Sequence, residues 1–124
     1  MLKIIQFTID YKITYQDSLN QIYASKHWSR RDDYAHGIQI ITRNALSKTM
    51  IDPQDMPMFT ASAVVSIVYP LGKVDIDNHS YFAKCVIDAL KGVLIIDDSP
   101  KHVVGINQSF ADRLDILVKV EATA

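Results

Sequence analysis

Aspartates bracket one segment of this chain in a pattern suited to holding a hard cation. Asp75 and Asp77 stand two apart, and Asp97 and Asp98 close a short apolar run twenty residues later. Carboxylates drawn close together repel one another and hold their protons more tightly unless a cation neutralises them. An all-oxygen set favours Mg²⁺, with Mn²⁺ as the other candidate. No His or Cys set competes at zinc spacing: His27, His36, His79 and His102 are scattered and Cys85 is alone. Between the acidic pairs, Lys84 and Asp88 fall four apart, about 40° round a helix at ~100° per residue. Such a pair is either a surface ion pair worth roughly 0–1 kcal/mol or a lysine held where it neutralises charge developing on a phosphate. The acids have plain structural readings too. Asp77 can cap a following helix, with Asn78 and His79 as rival caps and Asp75 solvated, and Asp97–Asp98 can open a turn before Pro100. His79 is near enough in sequence to the acids to serve as an auxiliary proton carrier.

The elements that must position these residues follow from periodicity. Asp75 and Asp77 leave a strand, and on an extended backbone their side chains point to one side. Phe82, Cys85, Val86, Ala89 and Leu90 then form one apolar helix face, with Gly92 as its stop. Cys85 on that face is expected to be a buried core thiol. Val93 to Ile96 reads as a short strand ending on Asp97–Asp98, so chain reversal can gather the carboxylates. Upstream, residues 2–9 read as a first strand and 10–29 as a long loop holding Tyr23, Lys26, His27 and Trp28, residue types that stack on bases or hold phosphates when they are not simply packed down. Residues 30–48 read as a helix with Tyr34, Ile38, Ile41 and Ala45 inward. Residues 59–69 alternate as the strongest strand. Residues 102–106 and 114–121 are two more strands, with a turn over 108–112. This order predicts a single α+β domain over residues 1–124, close to α/β, with a mixed sheet packed by two helices.

Composition narrows the class. The chain is 48% hydrophobic and 22% charged, as in ordinary globular domains. It has no apolar run long enough to span a bilayer and no signal-peptide layout at its start, and one cysteine forms no internal disulfide, so a reducing cytoplasm is expected. The net charge of −1 does not announce a nucleic-acid binder, but residues 26–49 carry a local net +3. Thirteen of the fourteen acids are Asp, a residue used in turns, caps and metal sites.

The ordered residues resemble the RusA-type Holliday junction resolvases. The family pattern of D-x-D-N, a nearby lysine, D-A-L, a glycine and a later D-D pair stands here as Asp75-Ile76-Asp77-Asn78, Lys84, Asp88-Ala89-Leu90, Gly92 and Asp97-Asp98. Ser18-Leu19-Asn20 and Tyr23 are similar to the family's early S-x-N segment. The resemblance implies a small homodimeric, Mg²⁺-dependent endonuclease with no small-molecule cofactor, cutting four-way DNA junctions by one nick per subunit. It implies Asp75, Asp77 and Asp98 as metal ligands, Lys84 as the essential lysine, and Asp97 as a supporting neighbour. The metal would lower the pKa of a bound water and polarise the phosphate, and a two-fold dimer offers a junction two equivalent sites. Two departures stand out. Lys84 comes six residues after Asn78, further than in the family pattern, so His79 to Tyr81 read as an insertion before the helix. Only Lys73 stands where some members carry a basic run, which shifts DNA binding toward Lys26, Arg30 and Arg31. Two other classes stay open: a junction- or single-strand-binding module that cuts weakly or not at all, and a nuclease selective for flaps or forks.

Overall fold

The computed structural model describes residues 3–24, 28–49 and 52–123. Seven elements follow in order: β1 (Ile4–Ile9), α1 (Leu19–Ala24), α2 (Trp28–Ser47), β2 (Ala63–Pro70), α3 (Ser80–Leu90), β3 (Val103–Ala111) and β4 (Ile116–Ala122). Single 3₁₀ turns precede α1, β2 and α3, at Tyr15–Asp17, Pro53–Asp55 and Ile76–His79. The sheet order is β1-β4-β2-β3. β4 runs antiparallel to β1 and to β2, whereas β2 and β3 are parallel, so the sheet is mixed and the fold α+β as expected. The parallel pair requires a crossover, and α3 supplies it.

Alternation places the core. Ala63, Val65, Ile67 and Tyr69 of β2 and Ile116, Val118 and Val120 of β4 are buried, joined by Phe7 and Ile9 of β1. Over them lie Ile38 and Leu46 of α2 and the expected face of α3, with Phe82, Cys85, Val86, Ala89 and Leu90 all buried. Thr42 is buried among these groups and satisfies its hydroxyl by donating to the Ile38 carbonyl at 2.8 Å. Burial pushes the Cys85 thiol up to about 12, as expected of a core cysteine rather than a nucleophile.

Several boundaries differ from the sequence reading, each for a local reason. Residues 10–29 do not form one loop. A capping box closes Tyr15–Asp17, with Thr14 accepting from Gln16 N and Asp17 accepting from Thr14 N, and α1 follows. There are therefore three helices rather than two. Val93–Ile96 is not a strand. Gly92 takes φ +73°, and the chain then wraps the end of α3 so that Val93, Leu94 and Ile95 N–H groups all donate to the Leu90 carbonyl. Leu94 and Ile95 plug the core from this loop, the ambiguity inherent in any short apolar run. β2 starts at Ala63, leaving Phe59 in a single bridge with Ile95. β3 continues through the expected 108–112 turn to Ala111, and Leu114, fully exposed, precedes β4 instead of joining it.

Candidate functional site

α3 and the 3₁₀ turn before it carry most of the chemistry. Asp75 is extended, at φ −62° and ψ 152°, but Asp77 lies inside the turn, so the two carboxylates do not ride one extended strand. The cause is His79. Its ring is buried 4.2 Å from Tyr69 and 5.3 Å from Phe110, and Nδ1 lies 2.9 Å from the Asp75 carbonyl oxygen. A carbonyl only accepts, so Nδ1 carries the proton and ties the turn into a loop. His79 is thus a buried anchor and not the exposed proton carrier its sequence position allowed. Asp77 does not cap α3 with its side chain either: its carbonyl accepts from Ser80 Oγ at 2.7 Å, and its carboxylate is exposed, as is that of Asp75. Asn78 turns the other way and accepts from Asn20 N–H at 3.3 Å, which joins the S-x-N segment to the D-x-D-N turn across 58 residues of sequence.

One face of α3 presents Ser80, Ala83, Lys84, Ile87 and Asp88 to a groove of about 470 Å³, whose far wall is β3 from Val103 to Ile106 with Gln108. Asp98 closes its end. Along the groove runs an alternating line of charge. Lys84 Nζ donates to Asp88 at 2.9 Å, Asp88 also lies 3.2 Å from Lys91, and Lys91 lies 3.4 Å from Asp98. Partial burial pushes the Asp88 carboxyl up, but the hydrogen bonds from Lys84 and Lys91 outweigh it and leave it below the usual carboxylate range. The same hydrogen bonds raise Lys84 and Lys91, so both remain ammonium ions through the physiological range. Asp97 is a turn residue: its carboxylate accepts from Ser99, which lowers its pKa.

The structure therefore divides the expected site. Lys84 and Asp98 share the groove, whereas Asp75 and Asp77 stand on the turn at the opposite end of α3 from Lys91. Among the described residues no three His, Cys, Asp or Glu side chains are grouped so as to share a metal ion. An octahedral Mg²⁺ needs oxygens at roughly 2.0–2.1 Å on several sides; Asp98 faces an ammonium instead. As the chain stands, Asp75, Asp77 and Asp98 do not fit one ion.

The expected DNA-binding residues are spread over the surface. Arg31 stacks 5.0 Å above the Tyr23 ring, which meets Tyr81 edge-on at 5.6 Å, and Tyr81 meets Tyr34 at 5.8 Å. This pairs a cation with an aromatic ring, Tyr23, that is 55% exposed. Arg30 is exposed on α2 and Lys73 on the approach to the turn. Lys26 lies outside the described residues. Arg43, counted in the basic segment, instead donates its Nε–H to the Ala89 carbonyl at 3.1 Å and ties α2 to the end of α3.

Two residues that matter here were not singled out by sequence. Lys91 bridges Asp88 and Asp98; its i, i+3 spacing from Asp88 was the available signal. Asp17 is buried and accepts from Tyr11 Oη at 2.5 Å, Tyr34 Oη at 2.8 Å and Thr14 N at 2.8 Å. The T-x-x-D pattern at Thr14–Asp17 was its signal. No protein-family model, curated protein or solved structure matches the chain.

Proposed function

We propose that this chain is a RusA-type Holliday junction resolvase: a Mg²⁺-dependent endonuclease that, as a homodimer in a reducing cytoplasm, nicks four-way DNA junctions in symmetric pairs. The observation that carries the reading is the shared groove, where Lys84, Asp88 and Asp98, separated by up to fourteen residues in sequence, line one surface. The Asn20–Asn78 hydrogen bond supports it, because it joins the two segments that resemble the family. In this reading Lys84 faces the scissile phosphate as a permanent cation, and its stabilisation grows as negative charge develops there. Asp88 holds it in place before DNA arrives. Tyr23 with Arg31 offers a stacking surface for an unpaired base, and Arg30, Lys73 and Lys26 supply phosphate contacts. The metal part rests on the resemblance of Asp75, Asp77 and Asp98 to the family's acids.

The separation of those acids favours a second reading, a junction- or single-strand-binding module that does not cut. A labelled four-way junction, a flap and a plain duplex, each with Mg²⁺ or EDTA, distinguish the two. Paired nicks on the junction alone, dependent on Mg²⁺ and abolished by Asp98→Asn and Lys84→Met, are the expected result. Tight junction binding without nicks would overturn the nuclease in favour of the module. Nicks confined to the flap would replace the junction with a flap or fork as substrate.

A further inference from the structure

The line of charge along the groove cancels itself. Lys84 and Lys91 bring two ammonium groups and Asp88 and Asp98 two carboxylates, so the run from Lys84 to Asp98 sums to zero. A carboxylate cluster that depends on a divalent ion carries an excess of negative charge, and its repulsion is what the ion relieves. Asp97, the remaining acid at this end, already accepts from the Ser99 N–H at 2.8 Å. The cation standing between Asp88 and Asp98 is Lys91. Its Nζ lies 3.2 Å from Asp88 Oδ1 and 3.4 Å from Asp98 Oδ2, whereas a Mg–oxygen bond is roughly 2.0–2.1 Å. The backbone fixes the root of this side chain. Lys91 ends α3 in an extended conformation, at φ −64° and ψ 130°, and forms a bridge with Ile95. Gly92, at φ +73°, donates its N–H to the Ile95 carbonyl at 2.7 Å, and Ile95 is fully buried. The C-terminal end of a helix also favours a cation over an anion.

We infer that Lys91 is a built-in counter-ion: a tethered ammonium that holds Asp98 against Asp88 and closes the Asp98 carboxylate to divalent cations in the free protein. The misfit of Asp75, Asp77 and Asp98 to one ion then has a cause at Asp98 itself. A divalent ion brought to that carboxylate comes within ~5 Å of an ammonium, and two cations at that separation repel even in water. It also competes with a partner that cannot diffuse away. A group on a short tether is present at an effective concentration in the millimolar range or above. Displacing Lys91 has a further cost, because Asp88 then keeps Lys84 alone as its partner. Lys91 thus decides which cations the groove accepts. It acts through Asp98 and Asp88, as a positioning residue. Asp98 is taken here from the nuclease reading above, but the effect is on ion binding alone and involves no cleavage.

Titrating the full chain with Mn²⁺ alone, with free ion followed by electron paramagnetic resonance and no DNA present, tests this directly. Lys91→Met should bind Mn²⁺ at least about tenfold more tightly than the wild type, since the repelling charge beside Asp98 is gone. Adding Asp98→Asn to Lys91→Met should abolish that gain. Lys91→Arg, which keeps the cation, should bind as weakly as the wild type. Lys48→Met removes the same charge from an exposed position just beyond α2 and should change nothing. Thermal melts give a second readout: added Mg²⁺ should raise the melting temperature of Lys91→Met and leave that of the wild type unmoved. Equal Mn²⁺ affinity in the wild type and Lys91→Met, a gain that survives Asp98→Asn, or an equal gain in Lys48→Met overturns the inference. Cleavage separates this from the nuclease reading. A chain that never nicks a junction sinks that reading and leaves the Mn²⁺ result standing, whereas Mg²⁺-dependent nicking with no gain in Lys91→Met sinks only the role given to Lys91.

Discussion

Replacing Asp17 by alanine should destabilise this chain markedly, because Asp17 is a buried carboxylate that several groups share. The carboxylate is 3% exposed and accepts from the Tyr11 and Tyr34 hydroxyls, from Thr14 N and, at 3.3 Å, from Thr14 Oγ1. The two tyrosines come from the segment just after β1 and from α2, so one side chain ties three segments. Burial and the facing Asp17 charge hold both phenols neutral well above any working pH, so they act purely as donors. Asp17→Ala removes their common acceptor. A donor deprived of its partner inside a protein costs about 1–3 kcal/mol, and hydrogen bonds to a charged group sit at the upper end. Allowing for the desolvation that the carboxylate no longer suffers, the net loss is about 3 kcal/mol. With roughly 2.1 cal/mol/K of unfolding entropy per residue over 124 residues, that lowers Tm by about 11 °C. Urea and thermal denaturation measure it. The decisive control is the double-mutant cycle of Asp17→Ala with Tyr11→Phe. Both remove the same Tyr11–Asp17 hydrogen bond, while Tyr11 also bonds Tyr34, so the double variant should lose less than the two single losses added, by about 1 kcal/mol. A loss under about 1 kcal/mol, or strict additivity in that cycle, would refute the view that this network holds the segments together.

The other expectations concern the groove and the turn. Asp88→Asn should lower stability at pH 7 by about 0.5 kcal/mol, because it weakens two ion pairs to lysines that are themselves partly solvated while relieving a negative charge in the last turn of α3. Since the folded Asp88 pKa is depressed, this contribution is present above the unfolded carboxylate value and is lost as pH falls through the folded one. Melting curves of wild type and variant should therefore converge in strong acid, and a gap that persists there would mean packing rather than charge is responsible. Asp75→Asn should leave Tm unchanged to within about 0.5 kcal/mol of stability, the usual range for an exposed position outside any network. A clear rise in Tm would show that the acids are crowded after all.

Much of the framework was written locally. The alternation of Ala63 to Tyr69 and of Ile116 to Val120, and the stripe from Phe82 to Leu90, state which side of each element faces inward, because strand and helix periods are properties of the backbone itself. The i, i+4 spacing alone also announced Lys84 with Asp88. What the sequence could not settle was where chain ends and loops turn. Val93–Ile96 has the composition of a strand, yet its N–H groups find a nearer acceptor in the Leu90 carbonyl, and only the crowded end of α3 decides that. Asp75 and Asp77 have the spacing of a shared strand face, yet burying His79 against Tyr69 and Phe110 curls them into a turn. The family resemblance makes Asp98 a third metal ligand, yet the Lys91 ammonium lies 3.4 Å from it. Periodicity depends on neighbours a few residues away and so can be read from one dimension. Competition among distant partners for the same charge or the same carbonyl is settled only when the folded chain brings those partners within bonding distance.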